Sequence, residues 1–217
     1  LIDNTEGNYN SALGLESLFK NTTGDGNVAF GYQSLYSSVT TNYNVAIGFR
    51  AMCTTTTGKE NVAVGHNTLF TNTTGARNAA IGYQALYSNV TGDENVALGY
   101  ETMKANTSGQ RNVAVGMNAL RNNTIGQCNV GVGYDSMYNS TTGECNTAVG
   151  TAALFANTTG TCNVAVGTRA LKSNVCGNRN VAIGVRALED NTSGGCNVSV
   201  GHEALTNNTT GQYNVAV

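Results

Sequence analysis

The stretch Asn163-Val164-Ala165-Val166-Gly167 decides how the rest of the chain is read. Nearly the same five residues start at Asn27, Asn61, Asn95, Asn112 and Asn180, and looser copies fill the steps between. The step is 17 residues. Asparagine stands at 10, 27, 44, 61, 78, 95, 112, 129, 146, 163, 180, 197 and 214, with no insertion or deletion. A fixed short period predicts repeats stacked on one another.

Take the asparagine as place 1. Place 2 is Val in ten of thirteen copies, place 3 is Ala in eleven, and place 4 is apolar in all. Such a short β-branched run ending in glycine predicts a strand, with places 2 and 4 on one face and place 3 on the other. One face then carries Val and Ile, the other only a methyl group. The Ala face has room for a very close neighbour, such as the opposite wall of a thin coil. The Val/Ile face calls for a second covering layer. One narrow coil can hardly bury both, so association with copies of the same chain is expected through that face.

Stacking in register lets each strand pair with the coils above and below. Identical side chains then form ladders. The expected amide ladder runs through Asn27, Asn44, Asn61, Asn78, Asn95, Asn112, Asn129, Asn146, Asn163, Asn180 and Asn197, each donating to one neighbour and accepting from the other. Place 5 is glycine in every copy that reaches it. Gly31, Gly48, Gly65, Gly82, Gly99, Gly116, Gly133, Gly150, Gly167, Gly184 and Gly201 are read as corners needing a positive φ or a close backbone approach.

The other half of the repeat reads differently. Place 9 is Leu or Met and never Val or Ile, and place 8 is Ala, Ser or Thr. Leu, Met and Ala favour helix, so places 6 to 11 are expected to form a single helical turn that plugs Leu or Met inward, with a second short strand as the alternative. Tyr32/Tyr36, Tyr83/Tyr87 and Tyr134/Tyr138 are four apart, which suits one helical face. Places 12 to 15, typically Asn-Thr-Thr-Gly, predict a turn.

The fold class is thus an all-β repeat protein, a parallel β-solenoid or β-roll with one coil per 17 residues. The chain, residues 1–217, is one array of about thirteen repeats. It opens at Leu1 within a repeat and stops at Val217 within a strand motif, so a window of a longer fibre is expected.

Composition narrows the function. Net charge is −2 and only 11% of residues are charged, so no footprint for nucleic acid appears. No apolar run is long enough to span a membrane. His66 and His202 are the only histidines and lie eight repeats apart. No Ser-His-Asp set, carboxylate pair or phosphate loop stands out, so no catalytic, cofactor or metal site is assigned and no enzyme is expected. Glycine pairs such as Gly24 and Gly26 lack the strand-to-helix setting of a dinucleotide fingerprint.

Asn-x-Ser/Thr sequons place candidate N-glycosylation at Asn21, Asn72, Asn89, Asn106, Asn157, Asn191 and Asn208, and also at Asn122, Asn139 and Asn207. The alternative is that Asn-Thr-Thr-Gly is simply good turn chemistry. Adjacent Thr pairs such as Thr22-Thr23 point opposite ways, which argues against the flat array of an ice-binding face. Cys128, Cys145, Cys162 and Cys196 share place 17; Cys53 and Cys176 lie elsewhere. They read as free thiols packed as small apolar groups, with bonds between chains as the alternative. Parallel side chains in one column have poor torsional geometry for a disulfide within it.

The phrase N-V-A-I-G-x-x-A, as in Asn44 to Ala51 and Asn180 to Ala187, resembles the head repeats of YadA-type trimeric autotransporter adhesins. It is also similar to repeats in trimeric tail fibres of phages and large viruses. The resemblance covers essentially the whole chain, although the adhesin repeat is shorter and the extra length falls in the Ala-Leu half. It implies a homo-oligomer, a trimer by preference, at an extracellular, cell-surface or virion location. It also implies a shaft or adhesive role with a host-surface receptor or glycan as partner. A surface or matrix filament of solenoids stacked end to end is the alternative, with an ice- or glycan-binding module ranking below.

Overall fold

In the computed structural model, residues 2–217 are described and Leu1 lies outside them. They fall into two compact units, Leu1–Gln110 and Arg111–Val217. Unit 1 contains β1 (Ser11–Leu13), β2 (Val28–Phe30), β3 (Val45–Ile47), β4 (Val62–Val64), β5 (Ala79–Ile81) and β6 (Val96–Leu98). Unit 2 contains β7 (Val113–Val115), β8 (Val130–Val132), β9 (Thr147–Val149), β10 (Val164–Val166), β11 (Val181–Ile183), β12 (Val198–Val200) and β13 (Val215–Ala216). Within each unit, successive strands pair in parallel and in register. Ala46 lies over Ala63, and Ala165 over Ala182. The fold is a parallel β-solenoid with one coil per 17-residue repeat.

Each strand is apolar on both sides, and the two sides have different fates. The place-3 alanines Ala29, Ala46, Ala63, Ala80, Ala97, Ala114, Ala148, Ala165 and Ala182 are fully buried. What they face is the place-9 side chain. At Gly131, the place-3 exception, an added Cβ would sit 3.3 Å from Cδ1 of Leu120 in the preceding coil. Place 9 is the thickest part of the core: Leu35, Met52 and Leu86 in unit 1 and Leu120, Leu154 and Leu171 in unit 2 are fully buried. A methyl against a Leu or Met is all that this thin coil holds. Ser199 at place 3 fits because its hydroxyl donates to the Ala204 carbonyl at 2.7 Å.

The Ala-Leu half corrects one expectation. No helix and no second strand forms there among the described residues; places 6 to 11 are a run of turns. The backbone alternates in handedness. Gln33 at place 7 has φ of 51° and Leu35 at place 9 has φ of 49°, and both places stay left-handed, between 49° and 60°, in every coil. Turn bonds close the segments, as where Ser34 N–H donates to Gly31 O at 3.4 Å and Asn106 N–H to Met103 O at 3.1 Å. Amides between them reach across coils: Gln33 N–H donates to Leu15 O at 3.0 Å and Leu35 N–H to Ala51 O at 3.0 Å.

The reason lies in side-chain branching. A left-handed residue tolerates Leu or Met but is an outlier for a β-branched one. Places 7, 9 and 17 are all left-handed, and none carries Val, Ile or Thr in any coil. The absence of Val and Ile at place 9 reflects a positive φ, not a helix.

Candidate functional site

The interior is occupied by two amide ladders. At place 1, Asn163 N–H and Nδ2 both donate to Asn146 Oδ1, at 2.9 and 3.1 Å, and Asn163 Nδ2 also donates to Gly177 O at 2.8 Å. The same three bonds recur at Asn61 and Asn78 in unit 1 and at Asn129 and Asn180 in unit 2. All of these asparagines are essentially buried, so each rung satisfies groups that would otherwise be costly inside the coil.

The second ladder stands at place 12. Asn89 Nδ2 donates to Asn72 Oδ1 at 2.9 Å and to Gly92 O at 3.0 Å. Asn191 Nδ2 donates to Asn174 Oδ1 at 2.8 Å and to Gly194 O at 3.0 Å. The place-15 glycine carbonyl therefore accepts from both ladders. Gly75 O takes Asn61 Nδ2 at 2.9 Å and Asn72 Nδ2 at 3.0 Å, which pins the two ends of the coil together. Sequence reading took these residues for a turn and for sequons. The signal was the pairing of place-12 asparagine with glycine three residues on.

This geometry bears directly on the candidate glycosylation residues. Asn21, Asn72, Asn89, Asn106, Asn157 and Asn191 are fully buried, and their Nδ2 atoms are hydrogen-bond donors. Nδ2 is the atom an N-linked sugar would occupy. Asn208 is half-buried with the same bonds, whereas Asn122 and Asn139 are half-buried and Asn207 is exposed. The threonines beside them are also engaged: Thr73 Oγ1 donates to Val90 O at 3.0 Å and Thr141 Oγ1 to Thr158 O at 3.0 Å.

The corner glycines Gly31, Gly48, Gly65, Gly82, Gly99, Gly116, Gly133, Gly150, Gly167, Gly184 and Gly201 have φ between 127° and 140°. At Gly167 an added Cβ would lie 2.6 Å from the carbonyl carbon of Gly184, so the close approach and the positive φ both require glycine.

Among the described residues no pocket is found and no group of three or more His, Cys, Asp or Glu is placed to hold a metal. No helix is long and apolar enough to cross a membrane. The candidate site is therefore the outer surface of the coil. In both units the Val and Ile of places 2 and 4 point outward, unlike the buried alanine between them. Ile47, Val62, Ile81 and Val96 in unit 1 are 38% to 43% exposed, and Val149, Val166 and Ile183 in unit 2 are 37% to 42% exposed.

Place 6 adds a third outward column. In unit 1 it is an unbroken aromatic stack: Tyr32 on Phe49 at 5.3 Å, Phe49 on His66 at 4.9 Å, His66 on Tyr83 at 5.4 Å and Tyr83 on Tyr100 at 5.1 Å between centroids. The rings are within 27° of parallel. Their faces are covered by one another, so the column presents ring edges to solvent. A sugar would need an open face to stack on. His66 is thus one ring in the column, and His202 stands at the same place of a coil in unit 2. The place-10 rings stack in shorter runs, Phe19 on Tyr36, Phe70 on Tyr87 and Tyr138 on Phe155.

Cysteines behave in two ways. Cys53 is buried, whereas Cys128, Cys145, Cys162 and Cys176 are exposed and Cys196 is half-buried; all six are free thiols. The exposed ones are not packed as small apolar groups. Compared with family models, curated proteins and solved structures, the chain matches none.

Proposed function

We propose that the chain is a structural segment of an extracellular or virion fibre, a stiff spacer or adhesive region built from copies of itself packed around a common axis. The single observation that carries this is the outward Val/Ile face. Places 2, 4 and 6 of unit 1 include Phe30, Ile47, Val62, Ile81, Val96, Leu98, Tyr32, Phe49, Tyr83 and Tyr100, each 38% to 47% exposed. Contiguous apolar patches above a few hundred Å² are rare on monomers and mark interaction surfaces. Release of water from apolar surface favours covering them.

Three copies are the preferred number because the Asn-Val-Ala-Ile-Gly phrase resembles trimeric fibre repeats. The interior supports a mechanical role. Strand amides and the two asparagine ladders tie each coil to its neighbours within a unit, which leaves few loose segments for a protease to open. Any receptor or glycan contact belongs to the outer columns.

Mass measurement by light scattering tests the reading. A mass of three chains is expected, and Ile47→Lys with Ile81→Lys should reduce it while the coil stays folded. A single-chain mass across micromolar concentrations overturns the proposal. Particles of variable length would favour filaments stacked end to end instead.

A further inference from the structure

Cys128, Cys145 and Cys162 occupy place 17 of three consecutive coils in unit 2. Each is left-handed, with φ of 57°, 57° and 58°, and each is exposed. Their backbones hang from successive rungs of one ladder: Cys145 N–H donates to Gln127 O and Cys162 N–H to Glu144 O, both at 3.0 Å. The rung spacing of about 4.8 Å falls inside the Cα separation of roughly 4.4–6.8 Å that a disulfide spans. Within a regular strand, two parallel side chains would resist the torsion a disulfide needs. Place 17 is a turn residue outside the strand, and its exposed Sγ can change rotamer without disturbing the core.

Although exposed, Cys145 is partly desolvated, which raises its pKa above the usual thiol value, and the neighbouring Cys128, Cys162 and Glu144 add to this. Cys128 and Cys162 are two rungs apart, about 9.6 Å by the same rise, too far to pair directly. Cys145 is the obligatory partner of either.

We propose that Cys128, Cys145 and Cys162 form an oxidisable trio, in which a disulfide-class oxidant joins Cys145 to one neighbour across coils and leaves the third thiol exposed beside the bond. The thiolate of Cys128 or Cys162 attacks the oxidant RS–SR, forms a mixed disulfide and releases one RS⁻. Cys145 then loses its proton, attacks the protein sulfur of that mixed disulfide and releases the second RS⁻. Two protein thiols are oxidised by two electrons, the oxidant is reduced to two thiols, and the two protons pass to the leaving thiolates. The remaining thiol can attack Cys145 in the new bond. The disulfide thus migrates between Cys128–Cys145 and Cys145–Cys162 with no further oxidant. This inference does not depend on the assembly proposed above.

The test uses the full folded chain with oxidised glutathione, followed by acid quench, alkylation under denaturing conditions and digestion with trypsin. The tryptic peptide spanning 122–169 contains all three cysteines and no internal Lys or Arg. It is expected to lose two hydrogens and to take one alkyl group. Cleavage after Glu144 of Cys162→Ser should leave two fragments still joined through Cys128 and Cys145. Cys145→Ser should show no internal bond and accumulate glutathione adducts instead. A wild-type peptide with three alkyl groups, with glutathione adducts alone, or linked to the same peptide of a second chain overturns the proposal. Because wild-type protein decides these outcomes, a variant that fails to fold does not shield it.

Discussion

Units 1 and 2 are built alike inside and differ in what they show to solvent. Inside, both stack alanine on place-9 Leu or Met, both carry two amide ladders, and both turn at a glycine with φ near 130°. Outside, unit 1 lines place 6 with five stacked rings from Tyr32 to Tyr100. Unit 2 puts Met117, Tyr134, Thr151, Thr168, Val185 and His202 at the same place, and its distinctive column is the thiols of place 17. Ion pairs differ as well: Glu189 in unit 2 bonds Arg186 and lies 3.9 Å from Arg169, while Arg77 and Glu94 in unit 1 pair in the open at 2.9 Å. Backbone geometry dictates the inner places and also bars β-branched residues from the outer places 7 and 17, whereas place 6 is free to differ between the units.

That contrast can be broken most severely at the corner. Gly82→Ala in unit 1 would put a Cβ 2.7 Å from the Gly99 carbonyl carbon, and Gly167→Ala in unit 2 would put one 2.6 Å from that of Gly184. Each should cost about 4 kcal/mol or more, because backbone cannot yield as a side chain can. Denaturant titration should show near-equal losses in the two units; a loss below about 1 kcal/mol at either would refute a shared corner.

Next in size is the handedness of place 9. Leu86→Ile and Leu171→Ile conserve volume, so their cost isolates the branched Cβ at φ of 52° and 51°. About 2–3 kcal/mol is expected at each from the strained backbone. Unchanged melting would mean the Leu preference is only one of packing.

The outer columns should split the units. Phe49→Ser removes a ring stacked on both sides, and about 1–2 kcal/mol should be lost. Thr168→Ser at the equivalent place of unit 2 should stay within about 0.5 kcal/mol. Equal effects would erase the distinction. The smallest change expected is a gain. Ser140 interrupts the place-12 ladder, and its hydroxyl is buried without a hydrogen-bond partner. Ser140→Asn could donate to Gly143 O and accept from Asn157 Nδ2, raising stability by about 1 kcal/mol in the same titration.

Much of the inside was legible from the 17-residue step alone. The place-1 asparagines, the corner glycines and the thin alanine wall follow from period, residue size and the need to pair buried amides. What misled was place 9. Leu and Met without Val or Ile fit a helix equally well, because propensity scales record the exclusion of β-branched residues without its cause. Only the matching exclusion at places 7 and 17 separates a left-handed turn from a helical one.

The place-12 ladder was hidden by turn chemistry, yet one substitution pointed to it. Thr41 is the single non-glycine at place 15, and Ser38 replaces asparagine three residues before it. An added Cβ at place 15 normally meets the place-12 amide, as at Gly126 with Asn123 Oδ1 at 2.5 Å. Shortening that side chain to serine makes room, and the Ser38 and Thr41 hydroxyls contact each other. The outward fate of Val and Ile could be anticipated. So could the ring column, since Tyr32, Phe49, His66, Tyr83 and Tyr100 stand at place 6 of five successive repeats and stacking in register lays them over one another.

The amide ladders have a direction. Within each unit the place-1 rungs donate backward to the coil before: Asn61 to Asn44, Asn78 to Asn61, Asn180 to Asn163. Place 12 runs the same way, while the threonine hydroxyls, as Thr73 to Val90, and the outer amides, as Asn118 to Asp135, run forward. A finished coil therefore ends in an acceptor oxygen that waits for the next asparagine. Each repeat added to a unit therefore finds the amide oxygens it needs already set on the coil before it, in the order in which the chain is made.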